Sequence, residues 1–574
     1  MEKIIITFLI GSLLISSCNK KTDSLGPVTP VDTTAVIDPA IDPPVANTIG
    51  FFLDDWQPKT FTAPSFVDAT APASPLYTVT IDRSSIITKV ARSLFGNNAN
   101  LWMSQIVTEP SLMDHLTTIH PHIIRFPGGS ISDVFFWNAQ PNTPPADAPA
   151  QLLDASGNAS AANFWYGKNT GSWTFSLDNY YNMLQQTGNQ GLITINYGYA
   201  RYGTSADPVA TAAHLAADWV RYDNGRTKYW EIGNENFGDW EAGYRIKLSD
   251  NHDGQPEYLS GQLYGQHFKI FADSMHKAAT EIGKTIYIAA VTVEAQSQAW
   301  QTSTYQNWNT GMLGAINNAS DYNVVHSYYT PYNTNSNAAD ILNSAITGTK
   351  TMMDFVKLSL QNAGAATKPV ALDEWNIFAV NSKQPVSHIN GLHADLVLGE
   401  VLKNKFGMSS RWDLANAWDN GNDHGMFNAG DETDGVPKWN PRPAFYHMYF
   451  FQKFLGDRMV TSSSSTTDIQ TYASSYTSGE VGVALVNIST TDKTVALTIK
   501  NFKKGARYYW YTLTGGGDNG EFSRKVLVNG ETSAYASGGP ADYKTISAYS
   551  ALVSGGINVT VPARAAVFVA VDKQ

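Results

Sequence analysis

Cysteine is almost missing from this 574-residue chain: Cys18 is the only one, so no intramolecular disulfide can form. Basic runs are missing as well. No Lys/Arg run is longer than two and the net charge is −11, which excludes the phosphate-binding patches that a nucleic-acid partner needs. No nucleotide loop, thiol nucleophile or Ser-His-Asp signature stands out. Oxygen-rich stretches at Asp250–Gly254 (DNHDG) and Gly430–Gly435 (GDETDG) lack the closing glutamate of a calcium loop, so neither metal nor cofactor is expected. The apolar run from Ile4 to Ile15 is too short to span a bilayer. What the chain does have in quantity is aromatic surface, 15 Trp and 28 Tyr, which serves large cores and also supplies flat platforms for sugar faces.

The N-terminus reads as an export signal over residues 1–17. It ends in LISSC, which resembles the lipobox of bacterial lipoproteins, where the cysteine (here Cys18) is lipidated. Residues 18–49, rich in Pro, Thr and Asp, read as a disordered tether to an outer membrane, on its periplasmic or its outward face. The segment 50–93 is aromatic and proline-rich, and it contains a half-exposed strand at Leu76–Arg83 suited to pairing with C-terminal strands.

From Leu94 onwards strand and helix patterns alternate. The strands are LFGNNANLW (from Leu94), HIIRFPGG (from His122), GLITINYGYA (from Gly191), YWEIGNE (from Tyr229), TIYIAAVT (from Thr285), NVVHSYY (from Asn323), PVALDEW (from Pro369) and RWDLANAWD (from Arg411). Eight such units predict a (β/α)₈ barrel over 94–456, an α/β fold, with the C-terminal ends of its strands as the site face. A doubly wound sheet would want a glycine-rich loop after its first strand, and FGNNANLW offers none. After residue 457 short alternating strands predict an accessory β-sandwich to residue 574.

Acids at strand tips carry the functional argument. Glu235 stands at the end of the fourth strand and Glu374 at the end of the seventh, and only a closed barrel brings such positions face to face. Two carboxyls across one cleft are the equipment of glycoside hydrolysis. The alternative for Asn234-Glu235, a helix cap, stays open at this level. His326 and Tyr328 lie two apart on one strand and so point the same way, His326 either toward the acids or into core packing. Trp240 and Trp375 are candidate sugar platforms. Asp373 and Glu231 receive no catalytic role, Glu231 being expected on the outer layer.

Asn-Glu at the tip of strand four with Glu at the tip of strand seven resembles clan A of the glycoside hydrolases, a retaining clan. More narrowly, RFPGG (Arg125–Gly129), GNENFGDW (Gly233–Trp240), HSY (His326–Tyr328) and DEWN (Asp373–Asn376) are similar to motifs of the family 51 α-L-arabinofuranosidases. The resemblance implies Glu235 as acid/base, Glu374 as nucleophile, Asn234 as donor to the sugar 2-hydroxyl, and Arg125 and Tyr328 as donors to the nucleophile. Two departures bear on the sugar: Asn97 and Asn98 stand where the family has a glutamate-containing motif, and Ser130 replaces an asparagine after the paired glycines. The expectation is a retaining glycosidase acting on a plant or algal polysaccharide, α-L-arabinofuranoside first and an endo-acting β-glycanase second. A non-catalytic glycan-binding lipoprotein is the rival of another class.

Overall fold

The computed structural model describes residues 37–416, 423–430, 432 and 434–574. The expected signal segment, Cys18 and the first part of the tether lie outside the described residues. Residues 38–574 form one unit.

Eight parallel strands close on themselves: β1 (Gly96–Asn98), β2 (Ile123–Phe126), β3 (Gln190–Ile195), β4 (Tyr229–Ile232), β5 (Tyr287–Val291), β6 (Tyr322–Tyr328), β7 (Val370–Asn376) and β8 (Met408–Arg411). Each is followed by a main helix: α1 (Pro110–Ile119), α2 (Leu177–Thr187), α3 (Pro208–Asp223), α4 (Gly261–Glu281), α5 (Trp308–Ile316), α6 (Ala338–Asn362), α7 (His388–Lys403) and α8 (Pro443–Phe454). The protein is a (β/α)₈ barrel with an added β-rich region.

The helix starts are written in side chains. Ser176, Asp207, Ser260, Asn337 and Ser387 each accept the backbone N–H three residues on, satisfying a donor that the first turn would leave free. The eighth strand begins at Met408, three residues before its expected start, and Arg411 is its last residue. Of the run after it, which read as a continuation of this strand, Ala415–Asn416 pairs with Phe427–Asn428 in a separate two-stranded sheet, and residues 417–419 lie outside the described residues.

The opposite end of the barrel is closed by the segment whose role the sequence left unassigned. A single turn, Gly50–Leu53, puts Phe51 flat on Tyr287, with ring centroids 3.7 Å apart, and Phe52 against Tyr229 and Tyr322. Gly407 lies so close that an added Cβ would stand 2.2 Å from the Phe52 ring. Part of the expected tether is also ordered against this body. Asp42 bonds Arg458 at 2.6 Å and Lys89 at 3.3 Å, and Ile49 is buried, so residues 38–49 are a strap rather than free chain. The paired charges of Asp42, unseen in a composition count, hold it there.

The β-rich region is one hydrogen-bonded sheet of eleven strands, which recruits Phe66–Asp68 and Tyr77–Lys89 from before the barrel. Val79 and Val495 near one end of the strand order share a core with Trp510 and Val569 near the other, so the sheet folds back on itself as a sandwich does. Its last strand, Ala565–Lys573, shows the period of two: Val567, Val569 and Val571 enter that core, while Ala566, Phe568 and Ala570 join the core shared with the barrel.

Candidate active site

The site grows from Arg125 on β2, which is fully buried beneath the carboxyl ends of the strands. Its Nη1 donates to Glu374 Oε2 at 2.7 Å and to Asn98 Oδ1 at 3.0 Å, its Nε to Glu231 Oε2 at 2.9 Å, and its Nη2 to Asn234 Oδ1 at 2.8 Å. A planar fork of five N–H groups suits this work, since one side chain ties together β1, β4 and β7. Burial alone would lower its pKa, but Glu231, Asp373 and Glu374 around it raise it.

Glu374 is gripped at both oxygens, Oε2 by Arg125 and Oε1 by the Tyr328 hydroxyl at 2.8 Å. Burial pushes this carboxyl above its ordinary value, and His326, Arg125 and Tyr328 pull the other way. Glu235 sits just past β4 with φ +43°, a left-handed conformation uncommon outside glycine. Gly233 before it has φ +79°, and a Cβ there would fall 1.8 Å from Asn236 Oδ1. The strand can therefore turn sharply and lift Glu235 over the barrel mouth.

His326 joins the two acids. Its Nδ1 lies 2.9 Å from Glu235 Oε1 and 3.9 Å from Glu374 Oε2, while Nε2 faces Asp373 at 3.4 Å and Glu231 at 3.5 Å. Burial would lower its pKa, but Glu374 and hydrogen bonds to Asp373, Glu231 and Glu235 raise it well above the usual value. Two sets here have the ligand types of a metal site, Glu231/His326/Asp373 and Glu235/His326/Glu374, with ligand atoms within 4.8 Å of one another. Arg125, which bonds Glu231 and Glu374, already brings positive charge to both.

Several placements differ from expectation. Glu231 faces inward rather than to the outer layer, accepting from Arg125 and from Thr194 at 2.8 Å. It shares the alternation phase of Tyr229 below it, whereas Trp230 points out toward Trp219 of α3. Asp373 also faces in, although it is adjacent to Glu374. Its register slips, Val325 pairing with Leu372 and His326 with Glu374, so a bulge leaves Asp373 as the extra residue. Trp375 is no sugar platform. It is wholly buried on the helix side of β7 and donates to Ser409 Oγ at 2.8 Å, because alternation turns it away from Glu374. Trp240 is 56% exposed beside the acids, its Nε1 donating to Glu235 Oε2 at 3.2 Å. Asn98 is buried and engaged at both ends, accepting from Arg125 and donating to the Asp373 carbonyl at 2.9 Å, so it supports the cluster from below.

A second layer was not singled out from the sequence. Glu241 Oε1 accepts from Ser130 Oγ at 2.8 Å and from Asn234 Nδ2 at 2.9 Å, while Asp133 Oδ2 accepts from Asn236 Nδ2 at 2.7 Å and from the Asn234 N–H at 3.3 Å. Burial pushes Asp133 up to about 7 and, with Asp133 and Glu235 nearby, pushes Glu241 well above its usual range. The short Ser130 hydroxyl thus reaches Glu241, and Asn234 is fixed between Glu241 and Arg125. The one available signal was Glu241 closing the acid-rich stretch after β4.

With this geometry in place, residues 115–344 match the family model of the alpha-L-arabinofuranosidase 1 domain. Over that stretch, which holds the strand ends bearing Arg125, Glu235 and His326, the chain is similar to an arabinofuranosidase domain. A search of curated proteins finds no match. Among solved structures, the alpha-L-arabinofuranosidase from Thermotoga maritima in its arabinose complex is 17% identical with a TM-score of 0.59, covering 86% of this chain and 99% of that one. A family 51 alpha-L-arabinofuranosidase from Bifidobacterium longum is 15% identical with a TM-score of 0.58, over 87% and 100% of the two chains. A family 44 xyloglucanase from Paenibacillus polymyxa is 11% identical with a TM-score of 0.55, over 87% and 99%. These likenesses are of fold: the chain shares its architecture with arabinofuranosidases and with a xyloglucanase alike.

Proposed function

We propose that this protein is a retaining glycosidase of plant or algal polysaccharide, acting first on α-L-arabinofuranosides, with Glu374 as nucleophile and Glu235 as acid/base. One observation carries the reading: an oxygen of Glu235 and an oxygen of Glu374 lie within 4.8 Å of each other. Retention asks for about 5 to 5.5 Å between the carboxyls, whereas inversion needs about 6.5 to 9.5 Å to admit a water.

In the first step Glu374 attacks the anomeric carbon as the glycosidic C–O bond breaks, and Glu235 gives its proton to the departing oxygen. In the second, Glu235 as carboxylate takes a proton from water, whose oxygen displaces Glu374 and regenerates both groups. Arg125 and Tyr328 favour the ionised nucleophile, since each donates to one of its oxygens. Asn234, held by Arg125 and Glu241, presents a fixed amide to the sugar.

The test is hydrolysis of aryl glycosides and polysaccharides by the soluble form from Asp38, which keeps the ordered strap. Activity on aryl α-L-arabinofuranoside that is lost in Glu374→Ala, and restored to Glu235→Ala by azide, is the expected result. Release of oligosaccharides from a polymer alone would favour an endo-acting glycanase, a second reading supported by the exposed aromatic side chains at the site face. Binding without cleavage across the panel would refute both. Export and anchoring through Cys18 are likewise proposed, on the strength of the N-terminal sequence.

A further inference from the structure

Asn234, next to the proposed acid/base Glu235, has its amide met from two sides. Arg125 has only N–H groups to offer, so the Oδ1 edge faces its Nη2, at 2.8 Å. A reversed amide would set N–H against N–H there. The Nδ2 edge then faces Glu241, whose Oε1 accepts at 2.9 Å. One of the two N–H bonds on Nδ2 is used in this way, and among the described residues the other meets no second acceptor.

Glu241 stands in the loop after β4 and is 3% exposed. Its Oε1 also accepts from the Ser130 hydroxyl, 2.8 Å away in the loop after β2, so one oxygen ties two loops together. Its Oε2 is buried and has no hydrogen-bond partner. A carboxylate with one bare buried oxygen is costly, and no cation bonds this one among the described residues. The titratable groups that face it, Asp133 in the connection after β2 and Glu235 after β4, are both acids, and burial together with them pushes the carboxyl well above its usual range. The neutral acid fits the bonds. A carbonyl oxygen has two lone pairs for the two donors on Oε1, and the proton sits on Oε2, where no donor comes.

We propose that Glu241 is a positioning residue: it fixes the Asn234 amide so that the remaining N–H meets the sugar 2-hydroxyl, and the enzyme thereby demands that hydroxyl. The inference rests on the glycosidase reading, with Asn234 as the group that binds the 2-hydroxyl. Arg125 alone would leave the amide able to swing about the bond between Oδ1 and Nη2. Two anchors on opposite edges hold its plane, so nothing has to reorient when the bond to the 2-hydroxyl strengthens in the transition state. Glu241 supplies an acceptor in a fixed place and no charge. Glutamine has the same length and the same acceptor, with an amide nitrogen where the acid has its hydroxyl, so it does the same work.

The experiment measures kcat/KM of the soluble form from Asp38 on 4-nitrophenyl α-L-arabinofuranoside and on its 2-deoxy analogue, the uncatalysed rate subtracted, in wild type, Glu241→Gln, Glu241→Leu and Ser130→Ala. The readout is the ratio between the two substrates, which a merely structural loss does not move because it lowers both alike. Glu241→Leu is expected to lower the ratio about 10-fold, as one lost hydrogen bond does, and Glu241→Gln to keep it within about twofold. Ser130 is exposed, so Ser130→Ala folds even where Glu241→Leu does not. It removes one of the two donors on Oε1 and is expected to lower the ratio about 2- to 3-fold. A ratio unchanged in Glu241→Leu, or in Ser130→Ala where Glu241→Leu does not fold, overturns the positioning role, as does a wild type that accepts both substrates equally. A ratio lowered in Glu241→Gln as far as in Glu241→Leu overturns the neutral acid. These results leave the glycosidase reading intact, whereas inactivity of wild type on the arabinofuranoside overturns the arabinofuranosidase reading and the inference with it.

Discussion

The Tyr328→Phe variant isolates one bond. The hydroxyl donates to Glu374 Oε1 at 2.8 Å, and the ring stacks on Phe378 with centroids 4.1 Å apart. Phenylalanine keeps the stack and removes the donor. A hydrogen bond to a charged group is worth about 1.5 to 3 kcal/mol net. Every 1.36 kcal/mol is tenfold in rate, so kcat/KM should fall about 10- to 150-fold. The direction with pH follows from the same bond. Tyr328 helps to hold down a carboxyl that burial pushes up, so its loss raises Glu374 further. The working form is the carboxylate, and the acidic limb of the kcat/KM profile should therefore move to higher pH. Activity against pH, with a thermal melt as control, makes the measurement. A loss under twofold with an unmoved acidic limb would refute the claim that Tyr328 supports the nucleophile.

Other outcomes follow from the packing around this site. Arg125→Met leaves Glu231 and Glu374 without their buried cation, and should cost about 3 to 5 kcal/mol in chemical denaturation at pH 7 besides abolishing turnover. Phe52→Ala removes a fully buried ring at the far end of the barrel, so it should cost about 3 to 5 kcal/mol while leaving kcat within about twofold. His393 is buried without a hydrogen-bond partner at either ring nitrogen, and burial, with Arg411 nearby, lowers its pKa to about 3. Its unfolded form gains a proton below about pH 6.5 and its folded form does not, so stability is lost as pH falls, by about 1.4 kcal/mol per unit between pH 6.5 and 3 from this residue. Unfolding of His393→Leu should show a correspondingly shallower dependence across pH 5 to 6.5. Cys18→Ser in the full chain should abolish labelling by a radioactive fatty acid and free the protein from the membrane fraction.

How much of this could be read from the sequence depended on how local the cause was. Helix starts such as Asp207 were legible because the capping side chain and the N–H it satisfies are three residues apart. The barrel was legible from the alternation of strands and helices, and Glu235 and Glu374 from their positions at strand ends. Glu231 was misplaced even though the rule that places it was available. It lies four residues before Glu235 and two after the inward-facing Tyr229, so strict alternation along β4 points it into the barrel. Asp373 is the opposite case. Strict alternation turns it away from the site because Glu374 faces in, and only a bulge between two strands brings both inward. A bulge is a property of pairing across roughly fifty residues of intervening chain, so no local pattern announces it.

The same distinction explains Trp375 and Trp240. Both are tryptophans that follow a glutamate proposed as catalytic, Trp375 by one residue and Trp240 by five, yet one is sealed against Ser409 and the other lies open beside Glu235. Trp375 is still within β7, where the pleat dictates its side; Trp240 lies in the loop after Gly233 has broken the strand, where no pleat applies. The functional surface therefore begins where the strand geometry ends. The residues that hold the carboxylates, Arg125, Glu231, His326 and Asp373, are placed by the pleat and its one bulge. Trp240, the aromatic that lies open against Glu235, stands beyond the strand end, where a change of loop can reshape the cleft without disturbing the residues that hold Glu374.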